Sequence, residues 1–190
     1  MKRRFHHSIF IFRVRYFTSF VGIIRKLFLS WLGMGIGKGT IMPKILVTWP
    51  HQVLIGNHCT FEKNICFKYD GTWNQGPAII IKDFVFIGAF CEFNISCGIT
   101  IGSYCNIAAG CRFVDHDHGV KLGIPIGVQT AVKKEIVLEE DVWLGCNVVV
   151  LKGVKIGKGA VVGAGAVVTK SIPSNEIWAG VPARFIAKRH

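Results

Sequence analysis

From Leu138 to Val168 an aliphatic residue stands at every sixth position, at 138, 144, 150, 156, 162 and 168, with glycine following at 145, 157 and 163. A helix repeats near 3.6 residues and a strand at 2, so a strict period of six belongs to neither. A second series, Val142, Val148, Val154, Ala160 and Ala166, keeps the same period four places on. Together they mark a solenoid of hexapeptide turns, each supplying one short strand and one corner. The frame is already present at Ile81, Ile87 and Phe93 and again at Ile101, Ile107 and Phe113, so most of residues 80–170 reads as one stack of coils. In such a stack, chemistry is sought where the period breaks.

The chain has 190 residues, 51% hydrophobic and 18% charged, which excludes disorder and points to one domain with appendages. Of seven cysteines, Cys59, Cys91, Cys97, Cys105 and Cys111 each fall four places after a repeat position. They are expected in the small inward slot of the coil as free, buried thiols, because an unpaired cysteine packs as a small hydrophobe. That usage fits a reducing compartment, and no cleavable signal peptide is read, so the expectation is cytoplasmic, with peripheral contact at the inner face of the cytoplasmic membrane as the variant.

Charge is uneven. The first acidic residue is Glu62, and nine cations precede it, so this third carries nine of the twelve net positive charges. Between residues 5 and 31, Phe5, Ile9, Phe12, Tyr16, Phe20, Ile23, Leu27 and Trp31 follow helical spacing, while Arg4, Arg15 and Lys26 recur on another stripe. Arg13, Arg15, Arg25 and Lys26 interrupt the segment too often for a transmembrane span of roughly 20 uncharged residues. A basic amphipathic helix lying at a membrane surface fits both properties, and packing on the base of the solenoid is the alternative. No nucleic-acid motif accompanies the charge, so no nucleic-acid partner is expected.

The organisation read from the sequence is a basic amphipathic helical segment over 1–35, a β-helix over 36–170 with loops at 67–77 and 115–134, and a tail over 171–190 that packs on the solenoid. Pro173 and Pro182 exclude a continuous helix or strand there.

The loop at 115–134 opens on Asp115-His116-Asp117-His118-Gly119, crowding titratable groups where the chain leaves the prism. It follows Ile107-Ala108-Ala109-Gly110 and precedes Asp141-Val142-Trp143-Leu144-Gly145, then Gly163-Ala164-Gly165-Ala166-Val167-Val168-Thr169-Lys170, then Ala179-Gly180-Val181-Pro182-Ala183-Arg184. In this order and spacing the chain resembles the left-handed β-helix acyltransferases, the hexapeptide family of galactoside, maltose and streptogramin acetyltransferases and bacterial polysaccharide O-acetyltransferases. The resemblance is strong over 80–188 and weak over 36–66, and residues 1–35 match nothing in it.

The resemblance implies an all-β solenoid, a left-handed parallel β-helix working as a homotrimer, that moves acetyl from acetyl-CoA to a sugar hydroxyl by direct attack with a histidine general base. Counting without gaps from Ile107 places the catalytic histidine on His118, with His116 the runner-up and Asp115 or Asp117 fixing a ring tautomer. The bland reading of the same run is a solvated, hydrogen-bonded turn. Trp143 matches a channel tryptophan, and Cys146 stands where relatives hold the oxyanion with a serine. Glu92 and Asn94 fall near acceptor contacts, and Trp73 is a candidate for stacking on a sugar ring. Ala164, Thr169, Lys170 and Arg184 match positions along bound coenzyme A, and Lys152, Lys155 and Lys158 are available to attract its phosphates.

No metal is expected. A zinc carbonic anhydrase of this fold needs three histidines where this loop offers two. The further alternatives are N-acetyl transfer to an amino sugar or nucleotide sugar, and a non-catalytic binding solenoid. A membrane-seeking helix favours an acceptor carried on lipid, as in surface polysaccharide synthesis.

Overall fold

A computed structural model describes residues 18–190. The helix read over 5–31 therefore lies partly outside the described residues; the portion within them is a helix, α1, at Thr18–Trp31. After it the chain turns three corners per coil and builds a three-sided prism of short parallel strands.

One face stacks Gly35–Ile36, Val53–Ile55, Ile79–Ile81, Ile99–Ile101, Ile136–Leu138 and Lys155–Ile156. The second runs from Thr60–Phe61 through Phe86–Ile87, Asn106–Ile107, Trp143–Leu144 and Val161–Val162 to the tail. The third stacks Ile45–Val47, Ile65–Tyr69, Glu92–Ile95, Arg112–Val114, Val149–Leu151 and Val167–Val168. The period of six produces this because each coil aims one large aliphatic residue per face at the axis, where Ile87, Ile107, Leu144 and Val162 are all buried. β-Branched side chains suit that pleated, half-buried surface. Inside the third face Phe67, Phe93 and Phe113 form a ladder with ring centroids 4.9 and 4.8 Å apart, the spacing of neighbouring strands. Glycine is required where corners nest: a Cβ on Gly145 would stand 2.6 Å from the Ala164 amide nitrogen of the next coil.

The tail continues the second face. Glu176–Ala179 pairs in parallel with Val161–Val162, and Arg184–Lys188 returns antiparallel beside it. Pro173 and Pro182 lie in the connections on either side of that first strand, where no ladder donor is needed.

Cys59, Cys91, Cys105 and Cys111 are buried, and burial pushes the Cys105 thiol up to about 11. Cys97 departs from its expected slot and is exposed. The strand before it runs on to buried Ile95, so the chain has already turned the corner at Cys97. A thiol reagent is therefore expected to modify Cys97 and Cys146 quickly in the folded protein, and all seven cysteines only after denaturation. Fast labelling of Cys91 or Cys111 would contradict the packed prism.

The three corners are not equivalent. The edge joining the third face to the first carries every long excursion: the loop after Tyr69, the turn at 96–98, and the arm between Val114 and Ile136. The other two edges keep short turns, many closed by a residue with positive φ such as Tyr104, Asn147 or Gly165.

Candidate active site

The arm begins as a two-stranded antiparallel ribbon, His116–Asp117 against Val132–Lys133. Beyond it Gln129 holds the tip folded: its amide nitrogen donates to the carbonyls of Lys121 (3.0 Å) and Ile124 (2.7 Å), and its oxygen accepts from the Lys121 amide (2.8 Å). The arm itself forms most of an open groove of about 1170 Å³, lined by its His116, His118, Ile124, Ile126 and Val128, to which the prism contributes Lys152.

Asp115 anchors the arm. Its side chain is fully buried, and its two oxygens accept the backbone amides of Ser96 (2.8 Å), Cys97 (2.6 Å) and Gly98 (2.8 Å) from the preceding coil. The same carboxylate lies 3.0 Å from His116 Nδ1. A carboxylate only accepts, so Nδ1 carries the proton, and in the neutral ring the lone pair is then on Nε2. This is the arrangement that holds a general base in one tautomer and stabilises its imidazolium.

The other expected members of the loop are placed differently. Asp117 makes no hydrogen bond to either ring among the described residues; it is ion-paired with Lys152 and ties the ribbon to the next coil. His118 is exposed on the groove wall with no hydrogen bond among the described residues. Beside the histidines, on the N-terminal side, Asp70 accepts from the Ser96 hydroxyl and pairs with Lys68 at 2.9 Å. Partial burial works to raise the Asp70 carboxyl, but the Ser96 and Lys68 hydrogen bonds, with the charges of Lys68 and His116, outweigh it and hold it below the usual carboxylate range. Sequence reasoning missed Asp70, Ser96 and Gln129, and no periodicity marks them.

On the outer surface of the third face Lys68 donates to the Asn94 side-chain oxygen at 3.2 Å, while Glu92 faces Arg112 at 3.6 Å. Trp73 is exposed on its loop. Of the residues matched to coenzyme A, Ala164 and Arg184 lie off the arm's edge within one chain, while Thr169 and Lys170 lie on it. Cys146 and Ala164 are exposed on the edge between the second and third faces, across the third face from the arm. Trp143 and Arg184 lie exposed on the second face, and Thr169 and Lys170 follow Val168 onto the arm's own edge. Lys152, Lys155 and Lys158 are each engaged in an ion pair, with Asp117, Glu139 and Glu140 respectively, so they are not idle phosphate contacts. Among the described residues no group of three His, Cys, Asp or Glu is disposed to hold a metal ion.

Residues 135–170 match the family described as "Bacterial transferase hexapeptide (six repeats)", and residues 78–112 match "Hexapeptide repeat of succinyl-transferase". Polysialic acid O-acetyltransferase of Escherichia coli O1:K1 / APEC is 38% identical over 128 residues, covering 67% of this chain and 42% of its own. The chain spans about half the length of the curated relatives it matches. Among solved structures, the hexapeptide-repeat acetyltransferase VCA0836 of Vibrio cholerae O1 biovar eltor, complexed with acetyl coenzyme A, superposes with a TM-score of 0.63 at 26% identity over 88% of this chain and 78% of that one. AntD, an N-acyltransferase from Bacillus cereus in complex with dTDP and 3-hydroxybutyryl-CoA, shares the fold at a TM-score of 0.74 and 22% identity, over 87% of this chain and 88% of that one. The fold is a left-handed β-helix, and the chain belongs to the hexapeptide-repeat acyltransferase family.

Proposed function

We propose that this chain transfers an acetyl group from acetyl-CoA to a hydroxyl of a sugar in a surface polysaccharide under assembly, with His116 as the general base. The observation that carries the reading is the Asp115–His116 pair, a buried carboxylate locked by three backbone amides and holding one ring nitrogen. In the forward step the sugar hydroxyl gives its proton to His116 Nε2 as its oxygen attacks the thioester carbonyl. Asp115 stabilises the imidazolium that results. The tetrahedral oxyanion needs backbone or side-chain donors, and the Cys146 amide is the candidate. Collapse expels the coenzyme A thiolate, which recovers the proton from His116.

Because Cys146, Ala164, Trp143 and Arg184 lie away from the arm's edge, one chain supplies two half-sites that face apart. The reading therefore includes a homotrimer in which the His116 edge of one copy meets the Cys146 edge of the next. His118 and Trp73 are assigned to the acceptor side, with Glu92 and Asn94 between the two edges. The name of the polysialic acid relative supports a polymer acceptor.

The test is a thiol-release assay with acetyl-CoA against free sugars, nucleotide sugars and lipid-linked oligosaccharides. Release that depends on a sugar hydroxyl is the expected result. Release with amino sugars alone would convert the reading to N-acetyl transfer. Failure to bind acetyl-CoA or to release thiol with any acceptor would overturn it.

A further inference from the structure

The helix α1 is mounted with its sides reversed. In a surface helix the apolar stripe normally faces the core and the charged stripe faces water. Here Gly22, Arg25, Lys26 and Leu29 face the first coil. Arg25 Nη1 donates to the Met42 carbonyl at 3.0 Å, Lys26 Nζ donates to the Gly37 carbonyl, and Leu29 is buried. Contact is close: a Cβ on Gly22 would meet Ile41 Cγ2 at 2.5 Å. Those carbonyls belong to the first coil, on which no earlier coil stacks among the described residues, so the basic stripe is used to cap that end of the prism.

The consequence is on the opposite side. Phe20, Ile23, Ile24, Leu27, Phe28 and Trp31 follow the i, i+3, i+4 spacing of one helix face, and all are exposed, Trp31 by 80%. Exposed Lys38 and Lys44 stand at the same end of the prism, neither in an ion pair among the described residues. No acidic residue occurs before Glu62, while Lys2, Arg3, Arg4, Arg13 and Arg15 precede α1 in the chain. An apolar face at an end of the prism that carries exposed lysines is matched by an anionic lipid surface. A second copy docked through this face would oppose two basic ends, and residues 1–17 folded over it would add five more cations to the same end. Among the described residues no helix is long and apolar enough to cross a membrane, so α1 would lie at the surface.

We propose that the prism stands on an anionic bilayer through the outer face of α1. Resting on the acetyl-transfer reading, the geometry also describes the acceptor. His116 follows the fourth strand of the third face, three strand spacings, or about 14 Å, beyond the first coil. The reacting hydroxyl is thus held clear of the headgroups, at a height reached by a sugar several units out along a lipid-carried glycan. In a trimer of side-by-side prisms the three α1 faces share one plane, so their binding reinforces.

The test is sedimentation of the full chain with vesicles of phosphatidylcholine alone or with about 30% phosphatidylglycerol added. Binding to the anionic vesicles and little to the neutral ones is expected. Leu27→Glu with Trp31→Glu should lower the bound fraction about tenfold or more, since charge is placed in the headgroup boundary, while the circular dichroism and mass in solution stay unchanged. Lys38→Glu with Lys44→Glu should weaken the preference for anionic lipid. No sedimentation with either vesicle overturns the proposal, as does undiminished binding of the Leu27→Glu, Trp31→Glu variant. A drop in mass of that variant, without vesicle binding by the parent, would assign the face to a second copy instead. None of these readouts uses acetyl-CoA, so this proposal and the catalytic reading fail separately.

Discussion

Replacing His116 with alanine is expected to lower acetyl transfer by about two to four orders of magnitude, the usual worth of a positioned general base, with the fold intact. His118→Ala should cost less than about tenfold, because an exposed ring without a carboxylate partner is suited to acceptor contact rather than proton abstraction. The ungapped count from Ile107 favours His118; the geometry favours His116, which alone of the two is held by Asp115. Turnover at saturating acceptor, measured on both variants, decides between them. A dead His118→Ala beside an active His116→Ala would restore the first assignment. Asp115→Asn should depress turnover by about two to three orders of magnitude by losing the carboxylate that fixes Nδ1. It should also destabilise the fold: a carboxylate accepts from three amides and the ring, whereas an amide turns an NH₂ toward some of those buried donors, at about 1–3 kcal/mol for each left unpaired.

The prism was legible because its cause is local and repeated. Leu138, Leu144, Val150, Ile156, Val162 and Val168 are all buried, as are the smaller residues four places on from Val142 to Ala166. Where that repetition stops, the sequence is less informative. Asp115 could be named as a carboxylate near two histidines, but its three amide donors come from 17 to 19 residues upstream, and only stacking brings that turn beneath it. Cys97 kept the period in sequence and lost it in space, because one strand overran its corner. The amphipathic pattern of α1 was equally plain, yet pattern alone left open whether its apolar side met a membrane surface or the solenoid. What turns the basic side to the coil is the demand of open coil carbonyls at Gly37 and Met42, which a cation satisfies and a hydrocarbon does not. The lysines at 152, 155 and 158 were readable as free cations only until their acidic partners were seen across the coils.

Shared sites make a sharp numerical prediction. Ala164→Trp should be inactive, since an indole on the exposed small-residue edge would close the slot for the pantetheine arm, and His116→Ala should be inactive for want of the base. Co-expressed in equal amounts, the two chains should assemble randomly into trimers. A site that takes its base from one copy and its groove from the next then has both halves intact in about one case in four, so activity should return to about a quarter of the parent. If base and groove came from one chain, every site would carry a defect and the mixture would stay inactive. Arg184→Ala, placed on the exposed second face, serves as the partner if Ala164→Trp fails to assemble. Mass in solution is measured on each preparation, and a fully active monomer would sink the shared site outright. The reason to expect recovery is already in the single chain: the arm leaves the prism at one edge of the third face, while Cys146 and Ala164 lie on the other. A rigid three-sided stack cannot bend one edge round to the other, so under the shared-site proposal the base and the groove come from neighbouring copies.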